Sequence, residues 1–226
     1  MKTGKFFLAT ALMAGLALTA CTNNDDNPTP GVGEIPGSYQ ITSKELSEVT
    51  SNDLGYVIGA DGKVYSSVWQ AMGAHTETVA VLTYISKTPD EVVHFLAIAY
   101  DDLRNHDKGY THTWTGANET IARMTPIKGC QWRLPSLEDW ELILFNNYQQ
   151  RDGIVTCDEF WQLQIRSNFV ELGSNRYWTA NANEIREGAR TVAFRYENDH
   201  MTADFNTFYW SYGANYLLRP VLAYNK

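Results

Sequence analysis

Apolar residues open the chain in one dense block, Phe6 to Leu18, and then thin out until Tyr39. That block is shorter than the ~20 residues a membrane-spanning helix needs. Ser43 to Val49 predicts a short helix. From Gly55 the pattern turns to strand: Tyr56-Val57-Ile58 and Val64-Tyr65 flank Gly59-Ala60-Asp61-Gly62-Lys63, and Asp-Gly between β-prone runs predicts a hairpin. Thr78 to Ser86 and Val92 to Tyr100 are continuous β-branched and apolar runs, which predict two central strands joined by a turn at Pro89-Asp90. The middle of the chain changes period. Trp114, Ala117, Ile121 and Met124 recur at helical spacing between Thr113 and Met124, with Pro126 beyond the end. Ser136 opens a second helix, with Asp139 in a capping-box-like position and Trp140, Ile143 and Leu144 on its apolar face. A third helix is predicted over Asp158 to Leu172, stopped by Gly173. Short strands return at Arg176 to Thr179, Thr191 to Tyr196 and Tyr216 to Tyr224. Strands, then helices, then strands predict an α+β domain of mixed or antiparallel sheet with two to three helices, whose two ends meet in one sheet.

The N-terminal block has a defined context. Lys2 and Lys5 precede it, and Leu18-Thr19-Ala20-Cys21 follows with the small residues of a bacterial lipoprotein cleavage site. Residues 1–20 are therefore expected to be a signal peptide and Cys21 the lipidated first residue of the mature chain. Residues 21–36, acidic and broken by Pro and Gly, are expected to be a solvated tether, leaving 37–226 as one domain. An acidic run after the lipidated cysteine resembles the surface-export signal of Bacteroidetes lipoproteins, and the expected location is the outer membrane, facing outward. The chain carries 18 Lys+Arg against 26 Asp+Glu, a net charge of −8, and losing Lys2 and Lys5 takes it to −10. Such a balance, without a local basic run, offers no footprint for nucleic acid. Beyond Cys21 the chain has only Cys130 and Cys157, which either bridge in an oxidising envelope or stay as two free thiols.

Gln131-Trp132-Arg133-Leu134-Pro135-Ser136-Leu137-Glu138-Asp139-Trp140-Glu141 resembles the Trp-Arg-Leu-Pro-Ser/Thr…Glu-Trp segment of C-type-lectin-like domains. That branch includes formylglycine-generating enzymes and many Bacteroidetes lipoproteins. Tyr177-Trp178-Thr179-Ala180 and Leu218-Arg219-Pro220-Val221-Leu222-Ala223 resemble the closing strands of the same domains, and the likeness runs roughly from Leu54 to Tyr224. Read physically, Arg133 ahead of a helix bearing Glu138, Asp139 and Glu141 predicts a guanidinium–carboxylate pair. Trp132, Trp140, Tyr177 and Trp178 are expected in the core, and Arg219 as a structural anchor.

The resemblance implies a fold, and each activity that fold hosts needs its own residues. Calcium-binding lectins of this kind use Glu-Pro-Asn or Gln-Pro-Asp with Trp-Asn-Asp. Neither set occurs here, and the Asp101-Asp102 doublet reads as a solvated strand end. Formylglycine-generating enzymes use a reactive cysteine pair late in the domain, where this chain has none. His75, His94, His106, His112 and His200 lack ligand-like spacing. The Gly-x-x-Gly-Lys of the hairpin lacks the full spacing and the following helix of a phosphate loop, and no Gly-x-Ser-x-Gly or His-Glu-x-x-His motif occurs. No catalysis, cofactor or metal is expected.

Binding remains. Phe205 to Tyr216 holds six aromatic residues in twelve, interleaved with Asn, Ser, Thr and Gly, the mixture that recognition loops use. The alternative for this segment is that half of its aromatics pack inward. It also resembles the variable region of retroelement-diversified proteins, which display changeable residues on a lectin-like fold. The expected ligand site comprises Asn181, Asn183, Arg195, Tyr196, Asn198, His200, Asn206, Tyr209, Trp210 and Tyr212, and the expected partner is an extracellular glycan or protein. A lectin-like-fold enzyme and a structural adhesin or fimbrial accessory are the alternatives.

Overall fold

The computed structural model describes residues 40–86, 94–104, 109–145, 154–156, 160, 163, 172, 175–197, 200–205 and 208–225. The chain divides into Met1–Tyr39, which lies outside the described residues together with Cys21, and Gln40–Lys226. In chain order the strands are β1 Ser43–Glu45, β2 Val57–Gly59, β3 Lys63–Tyr65, β4 Thr78–Ile85, β5 His94–Ala99, β6 Thr111–His112 and β7 Trp132–Arg133. Next come β8 Ile154–Thr156, β9 Arg176–Asn183, β10 Gly188–Glu197, β11 His200–Phe205, β12 Trp210–Ser211, β13 Tyr216–Leu217 and β14 Val221–Asn225. The helices are α1 Val68–Gly73, α2 Trp114–Ala122 and α3 Leu137–Phe145. This is a mixed α+β fold.

Two sheets carry it. The first has the order β1-β3-β2-β4-β5-β14-β7, so the first and last strands share it, as the sequence predicts. The second sheet, which the pattern does not foretell, runs β6-β13-β9-β10-β11-β8, with β12 added along β10. Pairing is antiparallel except where Leu217 of β13 meets Tyr177 of β9 in parallel.

The first sheet is buried on both faces, which is why β4 and β5 read as unbroken apolar runs rather than alternating ones. Along β5, Leu96 and Ile98 point into one core with Trp140, Ile143 and Leu144 of α3 and with Tyr177, Phe194 and Met201 of the second sheet. Phe95, Ala97 and Ala99 point the other way, into a second core with Ala117 and Ile121 of α2, Trp132 and Trp178. Trp132, Trp140, Tyr177 and Trp178 are all buried, as expected.

Local chemistry sets the element ends. The predicted hairpin forms with Val57 opposite Tyr65 and Ile58 opposite Val64, and Gly62 supplies the positive φ (74°) of its turn. The Tyr65 hydroxyl donates to Asp61 at 2.6 Å, and burial together with that carboxylate pushes it up to about 12. The Thr113 hydroxyl caps α2 by accepting from the Gly116 N–H. In α3, Ser136 and Asp139 close a reciprocal capping box, and Asp139 also takes both Arg133 Nη donors, the predicted pair. Of the predicted helix over Asp158 to Leu172, Phe160 and Leu163 are helical and buried; most of that span, with Cys157, lies outside the described residues, as does the Pro89-Asp90 turn.

Three expectations change. Ser43 to Val49 is not a helix: Ser43–Glu45 pairs with β3 and leaves only one 3-10 turn, Leu46–Glu48, closed by Glu45 and Glu48. The strand expected over Tyr216 to Tyr224 is two strands in different sheets, divided at Leu218-Arg219-Pro220. Asp102 is no solvated strand end, because it accepts from Arg219 Nε at 2.6 Å and from the Tyr177 hydroxyl at 3.2 Å.

Candidate binding surface

The aromatic C-terminal segment folds back on the turn between β9 and β10. Asn183 Oδ1 accepts from the Arg186 N–H at 3.1 Å and tightens that turn, which exposes Ile185 almost fully. β12 then pairs with the start of β10, Gly188 opposite Ser211 and Ala189 opposite Trp210. Gly188 permits this approach: a Cβ there would stand 2.6 Å from the Trp210 carbonyl oxygen. Past β12 the Tyr212 N–H donates to Glu187 and the Trp114 N–H donates to Tyr212, which ties the segment to the start of α2.

Its aromatic residues divide into two roles. Tyr212 stacks on Trp114 with centroids 4.8 Å apart, and Trp210 meets Tyr216 edge-on at 5.6 Å. All four pack against the second core from its rim. Phe208 is 72% exposed and Tyr209 is half-buried outside that core. The segment is therefore both core rim and surface, each half of the alternative having its own residues.

Sequence reasoning misses the charge around these rings. Arg186 and Arg190 lie over the Tyr209 ring, their guanidinium carbons 5.4 and 5.0 Å from its centroid, and Arg176 lies over Trp210 at 5.1 Å. Arg176 Nη1 also donates to Thr191 Oγ1 at 3.4 Å. None of the three is ion-paired among the described residues, and no protein group accepts from the buried Arg190 Nε. Burial raises the Tyr216 hydroxyl above its ordinary range, and Arg176 opposes that rise. The turn that brings Arg186 and Arg190 to Tyr209 comes from the pairing of β10 with β9 and β12, and no local motif announces it.

The expected site residues fall into separate places. Asn181, Asn183, Tyr209, Trp210 and Tyr212 gather around the β9–β10 turn. Within that group Asn181 Oδ1 is engaged by the Leu137 N–H at 2.7 Å, at the start of α3. Arg195, Tyr196 and His200 sit at the far end of β10 and β11. Six residues separate Arg195 from Ala189 along β10, about 20 Å of strand. The Tyr196 hydroxyl lies 3.4 Å from Met201 Sδ, while Arg195 and His200 are exposed. Asn198 and Asn206 lie outside the described residues.

A separate concavity of about 780 Å³ opens beside α1, lined by Val68, Met72, Val79, Met124 and Trp132, with Glu77 and Asp101 among its polar groups. Cys130 is a buried free thiol whose pKa burial pushes up, the opposite of a reactive thiolate. Among the described residues no three His, Cys, Asp or Glu side chains are placed to hold a metal ion, and no helix is long and apolar enough to cross a membrane. No family model, curated protein or solved structure matches the chain.

Proposed function

We propose that this chain is a lipid-anchored, outward-facing lipoprotein whose C-type-lectin-like domain captures an extracellular ligand non-covalently, using neither metal nor catalysis. The lipobox at Cys21 and the acidic tether support the anchored location. The Trp132-Arg133-Leu134-Pro135 segment, feeding a capped helix between two largely antiparallel sheets, supports the lectin-like reading. One observation carries the binding role: β12 is held on β10 by backbone pairing, and immediately before it the exposed Phe208 and the half-buried Tyr209 stand outside both cores. Exposed aromatics on fixed backbone give contact area at small entropic cost. Ligand capture therefore centres on the β9–β10 turn, and Arg195, Tyr196 and His200 lie outside it.

A glycan and protein array probed with the full chain tests this. Joint replacement Phe208→Ala and Tyr209→Ala is expected to weaken the strongest binding at least about tenfold. Thermal unfolding of that variant should move by no more than about 2 °C, since neither residue belongs to a core. Unchanged binding by the double variant defeats the assignment.

A further inference from the structure

The two arginines over Tyr209 call for an account that aromatic recognition does not supply. The protein is acidic, with a net charge of −8, yet Arg186 and Arg190 both lie over the Tyr209 ring. Like charges at close range repel, so an acidic protein gathering two guanidiniums on one ring would ordinarily thread a carboxylate between them. Here the only nearby acids in the turn are Glu184 and Glu187, both exposed and neither within 4 Å of a guanidinium nitrogen. With centroid distances of 5.4 and 5.0 Å to one ring, the Arg186 and Arg190 guanidinium carbons stand within about 10 Å of each other. Tyr209 thus spends its ring on positioning cations. Stacking on an aromatic face fixes a guanidinium while leaving its in-plane donors for a ligand, the arrangement that suits planar bidentate recognition of oxyanions.

We infer that the surface formed by Arg186, Arg190 and Tyr209 binds the carboxylate or sulfate groups of an acidic polysaccharide. This inference rests on the binding role proposed above for the same surface and names its ligand class. The acid group meets the guanidiniums. The hydroxyl-rich remainder meets the exposed Phe208, next to Tyr209 in the chain, and the exposed Ser211 of β12. Aromatic faces and hydroxyls next to a cation cluster favour an acidic sugar chain over an acidic peptide, which offers no ring faces to stack and few hydroxyls.

The test titrates the full chain with polygalacturonate, a sulfated galactan, neutral galactan and poly-glutamate. Polygalacturonate or the sulfated galactan should bind at least about tenfold more tightly than neutral galactan, and the preference should shrink as salt rises from about 0.05 M to about 0.5 M. Arg186→Gln with Arg190→Gln should remove the preference with only a small fall in unfolding temperature, because Arg186 is exposed and neither residue is ion-paired among the described residues. Arg104→Gln, an exposed arginine over Tyr110 elsewhere on the molecule, should leave it intact. Equal binding of neutral and acidic galactans, with loss of both in the Phe208→Ala, Tyr209→Ala variant, overturns the acidic ligand and leaves the binding role standing. Poly-glutamate binding as tightly as polygalacturonate overturns the sugar in favour of an acidic peptide. Retained preference in the Arg186→Gln, Arg190→Gln variant overturns the site.

Discussion

Asp139 shows how one side chain fixes the approach of a loop to a helix. Its carboxylate accepts from Arg133 Nη2 at 2.8 Å, from Arg133 Nη1, and from the Ser136 N–H. Burial alone would raise its pKa, but the Arg133 and Ser136 hydrogen bonds outweigh that and hold it below the usual carboxylate range. Asp53 behaves likewise: burial pulls up, while Lys44 and Thr50 pull it lower overall. A carboxyl lowered on folding adds stability that is complete above its unfolded value of about 4 and is lost as pH falls through the lower folded value. Stability should therefore decline on acidification below about pH 4. Asp139→Asn should flatten that part of the profile and cost about 2 kcal/mol at neutral pH, a figure kept modest because the Arg133 side chain is 44% exposed. Chemical denaturation across a pH series measures both effects. An Asp139→Asn profile parallel to that of the unsubstituted protein would assign the acid sensitivity elsewhere. This pair was legible from Arg133 and the Ser136-x-x-Asp139 spacing, because caps are decided by neighbours in sequence.

At the scale of elements, legibility follows the range of the contacts. Hairpin β2–β3, strands β4 and β5, and the starts of α2 and α3 are set by local turns, caps and periodicity, and they appear where expected. β11 alternates buried Met201, Ala203 and Phe205 with half-buried Thr202 and Asp204, a period-two signal present in the chain though not read as a strand. β12 has no such signal. Two residues long, it exists because β10 offers an edge there and Gly188 lets the chains meet. The arginine cluster depends on that pairing, so it was not legible before the fold. Gly188→Ala should then act on the element rather than the molecule, since the new methyl would meet the Trp210 carbonyl oxygen at 2.6 Å and one backbone must move. Amide exchange at Trp210 and Ser211 should accelerate, and ligand binding should weaken about tenfold or more, while protection in β4 and β5 is unchanged. Equal exchange at β12 in both proteins would show that the strand does not need this close approach.

At the scale of the molecule, the two sheets must be held to one another, and the connection from β13 to β14 does part of this. The chain leaves the second sheet at Leu217 and enters the first at Val221, with Arg219 between them fully buried. Its Nε donates to Asp102 at 2.6 Å, and its Nη1 donates to the carbonyls of Ala99, the last residue of β5, and Tyr100 at 3.2 and 3.1 Å. Asp102 in turn accepts from Tyr177 of β9. One carboxylate thus joins the end of a first-sheet strand, the crossover and a second-sheet strand. Burial raises the Asp102 pKa against the pull of Arg219 and Tyr177, so the pair is costly to desolvate and depends on both partners. The sequence marked Arg219 as an anchor but gave no sign of Asp102, 117 positions away, as its partner. Arg219→Met keeps the apolar stem while stranding the carboxylate and two carbonyls, and should cost about 3–5 kcal/mol. Asp102→Asn leaves an amide oxygen for the guanidinium and should cost less, and Tyr177→Phe about 1 kcal/mol. Urea unfolding of the single variants and of Arg219→Met with Asp102→Asn closes a double-mutant cycle. A joint loss well below the sum of the single losses is expected; strict additivity would mean that Arg219 and Asp102 do not act as a pair.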